Sequence, residues 1–159
     1  MSIQKADTNK SLWLVWLMAN NVRIEGVERI LERLAETADP AEVRQALGRA
    51  CALVERAAKE KAPKGTGELR RSIASKIEED GDDLVGVVYT PLEYAPYVEF
   101  GTGLFAENGG RMDVPWNYKD DEGNWHSTSG MKPMPYLRPA LNENREEIVR
   151  ILKEGVLND

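Results

Sequence analysis

The side chains in this sequence able to do chemistry are few: a carboxylate among aromatic rings, one histidine, one cysteine and a cluster of acids. Glu99 sits in "YAPYVEFGTG", with Tyr94, Tyr97 and Phe100 around it and two glycines, Gly101 and Gly103, flanking Thr102. Were the rings to line a pocket, desolvation would raise its pKa toward that of a general acid. Acid–base catalysis wants a partner of distinct role, and the sequence places none beside it. The plainer reading has Tyr97 and Phe100 packing on a sheet while Glu99 accepts backbone or arginine hydrogen bonds at a tight corner. His126, in "GNWHSTSG", is followed by Ser127, but neighbours on a strand point to opposite faces and cannot form a nucleophile–base pair.

Metal and phosphate chemistry fare no better. A zinc site needs three or four ligands, and one histidine without cysteine partners leaves only carboxylates. Asp113, Asp120, Asp121 and Glu122 could offer oxygens to a hard cation, yet "DDEGN" is more simply an acidic β-turn. "PKGTG" and "FGTG" are glycine pairs without the lysine and threonine that lead a phosphate loop into a helix. Cys51 lies in a helical pattern and reads as a small core residue. A single cysteine also rules out an internal disulfide. No catalytic, cofactor-binding or metal-binding residue is therefore expected, and no cofactor.

The elements that would position these residues follow from periodicity. Ile24, Val27, Ile30, Leu31 and Leu34 mark one helix face. "DPAE" announces a second helix, with Asp39 as cap, Pro40 in the first turn and Glu42 as capping-box partner. Val43, Leu47, Cys51, Val54 and Ala58 form its stripe, ending near Lys61. Pro63, Gly65 and Gly67 turn the chain, and a hairpin across Gly81 joins a strand at Ser72–Glu79 to "LVGVVYT". "PLEYAPYVEFGTG" makes a corner, and Gly103, Gly109 and Gly110 suggest a mobile loop hinged at the corner's glycines. "DVPWNYKDDEGNWHSTSG" then reads as a second hairpin turning at Gly123. "MPYLRPALNENREEIVRILKEGVL" reads as one amphipathic helix fraying at Gly155. The expected class is α+β: an antiparallel sheet of about four strands in two hairpins, packed by two N-terminal helices and a C-terminal amphipathic helix.

The totals agree with a single domain, since 159 residues bury one modest core. A net charge of −6, with basic residues dispersed among acidic ones, argues against nucleic acid as the main partner. The apolar run Leu12–Met18 is far shorter than the ~20 residues of a transmembrane helix, so no membrane partner is expected. "MANNVRIEGVERIL" resembles a natural start at Met18. Residues 1–17 are then expected to be a non-native or disordered extension, and 18–159 the domain, with an inserted hairpin loop at 104–131.

Three motifs in order carry a resemblance: "APKGTGELRRSI" (Ala62–Ile73), "YAPYVEFGTG" (Tyr94–Gly103) and "KPMPYLRPAL" (Lys132–Leu141). Together they resemble a tailed-bacteriophage family of head–tail joining or tail-completion (minor tail) proteins, typified by gene product ten of the Hong Kong lambdoid phage. Pro63, Thr66, Gly67, Leu69, Ser72 and Ile73 match its first motif. Tyr94, Ala95, Val98, Glu99, Gly101 and Thr102 match its corner, and Pro135 to Ala140 match its closing helix start. The resemblance implies a virion structural protein of the neck or tail, assembled in the host bacterial cytoplasm, that works without turnover. The implied partners are itself, in a ring oligomer, and neighbouring phage neck or tail proteins. Tyr94, Tyr97, Glu99, Phe100, Gly101, Thr102, Gly103 and Arg138 are expected at the structural corner, with Glu99 paired to Arg138. Leu104, Phe105, Trp116, Tyr118, Trp125 and His126 are the expected assembly interface. The alternatives are a small carboxylate enzyme centred on Glu99, Asp113 and His126, or a monomeric bacterial binding module.

Overall fold

Three local signals start the longest helix, α1 (Pro40–Lys61). Asp39, in extended conformation, accepts the Ala41 N–H at 2.9 Å, Pro40 occupies the first turn, and Glu42 puts negative charge by the positive end of the helix dipole. The predicted stripe Val43, Leu47, Cys51, Val54 and Ala58 is buried, together with Ala46 and Ala50. In the computed structural model, which describes residues 17–18, 21–23, 39–81, 83–107, 109–120 and 122–157, this face is the centre of the core.

Beyond the turn at 62–67 the chain makes a short helix, α2 (Glu68–Ser72), before strand β3 (Ala74–Asp80). The strand thus begins two residues later than Ser72. One helical turn buries both Leu69 and Ile73, which an extended chain would spread apart, and Ser72 Oγ closes it by donating to the Leu69 carbonyl at 2.8 Å. Strand β4 (Asp83–Tyr89) returns across Gly81 in the register Ala74↔Tyr89 to Asp80↔Asp83. Strands β1 (Leu17–Met18) and β2 (Asn21–Arg23) extend this hairpin to a four-stranded antiparallel sheet of order β1-β2-β4-β3. The helix expected over Ile24–Leu34 and nearly all of the 1–17 extension lie outside the described residues.

The second expected hairpin, β5 (Trp116–Lys119) and β6 (Trp125–Thr128), is a separate two-stranded sheet. Between the two sheets lie helix α3 (Ala95–Phe100) and a 3-10 turn at Gly103–Phe105. The C-terminal segment is two helices, α4 (Leu137–Glu143) and α5 (Arg145–Leu157), where one was expected. At the break, the Asn144 side-chain amide donates to the Ala140 carbonyl at 2.8 Å. The break lets Leu137, Ala140 and Leu141 of α4 and Ile148 and Leu152 of α5 all reach the core.

Small residues set how closely these layers approach. A Cβ on Gly155 would lie 2.5 Å from the Ala46 Cβ, so Gly155 is the contact point of α5 with α1 and not a fraying end. On the sheet side, a Cβ on Gly86 of β4 would collide with Cys51 Sγ of α1. The expected α+β class with antiparallel sheet holds.

Candidate functional site

Helix α3 presents Ala95 and Glu99, four residues apart, to the interior. Glu99 is 1% exposed, whereas Tyr97, on the opposite side of the same turn, is 59% exposed. Tyr97 therefore does not pack on the sheet as the plainer reading expected. The α3 face toward the core is spent on the carboxylate. Tyr94 is also exposed and its hydroxyl donates to Glu68 Oε2 at 3.2 Å.

The carboxylate of Glu99 caps a helix from a distance. Helix α4 has no side-chain cap of its own at Tyr136, and its first N–H groups would be orphaned in the interior. Glu99 Oε2 accepts from Tyr136 N at 2.8 Å and Leu137 N at 3.0 Å; Oε1 accepts from Arg138 N at 3.1 Å. A fourth bond comes from Arg138 Nε, 2.9 Å from Oε1. With four donors on two oxygens, Glu99 has no lone pair aimed at a substrate. Arg138 is itself divided: one terminal nitrogen donates to the Glu99 carbonyl at 3.0 Å and the other to Glu107 Oε2 at 2.7 Å. Its guanidinium lies 4.6 Å from the Phe100 ring centre. Pairing with Glu107 and Glu99 raises the Arg138 pKa, and the Arg138 bond holds Glu107 below the usual carboxylate range.

Glu107 lies near the start of the segment 104–131, whose two ends are clasped together. Thr102 N donates to the Met131 carbonyl and Met131 N to Thr102 Oγ1, both at 2.9 Å. Leu104 N donates to the Ser129 carbonyl at 3.0 Å, and Glu107 N to the Phe100 carbonyl at 3.0 Å. Gly103, at φ +59°, is crossed by the Ser129 carbonyl and Gly130, and a Cβ there would lie 2.8 Å from the Trp116 ring. The corner's glycines are points of backbone crossing, which is a different use from the hinge expected of them.

From this clasp the β5–β6 arm projects. Its register is Trp116↔Thr128, Asn117↔Ser127, Tyr118↔His126 and Lys119↔Trp125, so Trp116, Tyr118 and His126 share one face and Trp125 lies on the other. Trp116 is half-buried at the neck beneath the Arg111 guanidinium, at 5.3 Å. Tyr118 and His126 stack with centroids 5.3 Å apart, and Lys119 lies 5.0 Å from the Trp125 ring centre. Trp125 is 69% exposed, and Leu104 and Phe105 are exposed at the root. The turn is organised by Asp120, which accepts from Glu122 N, Asn124 N and the Asn124 amide, and pairs with His126 Nε2 at 2.8 Å. The His126 bond, then those from Asn124, hold Asp120 below the usual carboxylate range.

Elsewhere the candidate chemistry is spent on structure. Burial pushes the Cys51 thiol up to about 11, so it is not a nucleophile at neutral pH. Among the described residues no group of three or more His, Cys, Asp or Glu side chains could hold a metal ion, and no helix is long and apolar enough to cross a membrane. Asp113 is bound to Arg111 at 2.6 and 2.8 Å. Asp120 and Glu107 were missed as organisers. The turn composition around Asp120 was a usable signal, while nothing local to Glu107 points to Arg138.

No curated protein and no solved structure matches the chain. A family match covers α1, the β3–β4 hairpin and α3 and stops at Gly101, where the clasp begins. Residues 25–101, just under half of the chain, match the HK97-gp10-like family, described as Bacteriophage HK97-gp10, putative tail-component.

Proposed function

We propose that this protein is a structural part of a phage or prophage tail that completes the tail or joins it to the head. It acts by self-assembly and neighbour contacts, in the virion neck or tail after assembly in the host cytoplasm. The family match supports the tail assignment. The observation that carries the assembly role is the arm: a two-stranded sheet, clasped at its neck, with Tyr118, Trp125 and His126 exposed. An isolated two-stranded hairpin is marginal in water, and exposed tryptophan, tyrosine and arginine are the side chains on which interface energy concentrates. Glu99, with its lone pairs occupied by the cap of α4, favours a scaffold over a carboxylate enzyme.

The test is to replace residues 111–127 with a short Gly-Ser linker, which keeps the Thr102–Met131, Leu104–Ser129 and Glu107–Arg138 contacts. The variant is expected to fold and yet fail to yield joined, infectious particles in complementation. A folded variant that supports normal particle yield overturns the proposal.

A further inference from the structure

The β5–β6 sheet is built with two open edges. Asp120 N donates to the Asn124 carbonyl at 3.0 Å, which makes Asp120/Asn124 a hydrogen-bonded pair of the antiparallel ladder. Such pairs alternate, so Tyr118/His126 and Trp116/Thr128 bond within the arm. The N–H and C=O groups of Asn117 and Lys119 on β5, and of Trp125 and Ser127 on β6, then point outward. Among the described residues nothing pairs with either edge. Neither edge is blunted by a proline or a bulge within its four residues.

We propose that each edge is completed by the opposite edge of the arm of a second copy, β6 of one subunit against β5 of the next. This rests on the assembly role proposed above and deepens it. The two edges are complementary. The β5 edge brings the cation of Lys119 and the β6 edge the ring of Trp125. Antiparallel addition in the arm's own register sets Asn117 opposite Ser127 and Lys119 opposite Trp125 between copies. The Lys119-over-Trp125 contact at 5.0 Å inside the arm thereby gains an equivalent across the junction. Both strands are four residues long, so every outward group finds a partner. The contact is heterologous, since a β6 edge meets a β5 edge, and repeating it around an axis closes a barrel of hairpins with no free edge.

Two measurements on the full-length chain test this. A mixture of an Asn117→Cys chain with a Ser127→Cys chain is oxidised, both as purified protein and in assembled particles. Each variant alone serves as control, and Cys51 stays buried in both. A cross-linked dimer found in the mixture, and weak or absent with either variant alone, is the expected result. Second, Ser127→Pro removes one outward N–H without touching a bond inside the arm, and Ser127→Thr keeps it. Ser127→Pro is expected to weaken self-association about tenfold in sedimentation, with Ser127→Thr unchanged. No mixed dimer in either setting overturns the inference, as does unaltered self-association of Ser127→Pro. If the 111–127 replacement still blocks particle completion in that case, the assembly role stands and the arm's partner is a different protein. If it does not, the assembly role falls as well.

Discussion

Arg138 Nε lies 2.9 Å from Oε1 of Glu99, joining the last turn of the family-matched segment to the first turn of α4. Glu99 is almost fully enclosed, while Arg138 is partly open and reaches onward to Glu107 in the arm's root. One guanidinium thus ties the buried helix cap to the projecting hairpin.

Glu99→Gln is expected to destabilise the fold by about 3 kcal/mol. The amide turns a donor toward donors, and the charge facing Arg138 is lost. Urea denaturation measures the effect. A loss within ~0.5 kcal/mol, the range of an ordinary surface change, would contradict the capping role.

Gly86→Ala is expected to cost about 2 kcal/mol, because its Cβ would collide with Cys51 Sγ across the β4–α1 contact. Adding Cys51→Ala removes that atom, so the double variant should be more stable than the sum of the two single losses predicts. A double-mutant cycle in thermal or chemical unfolding reads the coupling directly.

Acid should loosen the arm's tip. Asp120 is held low chiefly by the His126 bond, and a carboxylate lowered by folding stabilises above its unfolded value. That contribution is lost as the pH falls from about 4 through the folded value. The ring shifts of the Tyr118–His126 stack, followed by NMR, should move toward random-coil positions in that window. Asp120→Asn should show the loosened spectrum near neutral pH as well. Shifts that hold unchanged down to pH ~2 would count against Asp120 as organiser.

Trp125→Ala should separate stability from assembly. At 69% exposure its loss should leave unfolding within ~0.5 kcal/mol of the parent. Self-association or particle completion should weaken at least about tenfold if the ring is an interface anchor. Equal assembly by variant and parent would remove Trp125 from the interface.

Much of the fold is local and was readable. The Asp39–Pro40 start of α1, its stripe from Val43 to Ala58 and the hairpin across Gly81 each depend on a few consecutive residues. The motifs around Thr66–Gly67 and Tyr94–Gly101, which lie within the family-matched residues 25–101, were legible in the same way. The class, α+β with an antiparallel sheet, follows from those elements. The residue types at the site were legible too, including a carboxylate of the corner and an arginine of the last motif with opposite charges.

What tertiary structure alone decided is where backbone groups without local partners find them. Whether Ser72 belongs to a strand or a helix turned on burying Leu69 and Ile73 together, and the break at Asn144 lets both C-terminal helices reach the core. Glu99 caps a helix that begins 38 residues later, at Leu137, and Glu107 meets Arg138 only because the segment 104–131 is clasped between Thr102 and Met131. Gly101 and Gly103 read as a hinge because flexibility is glycine's local property; the crossing of Ser129 and Gly130 over Gly103 is not local. Sequence by itself determined the elements and the residues offered for contact. The packed chain decided which polar groups are satisfied from afar, because a buried N–H must find an acceptor wherever the fold brings one.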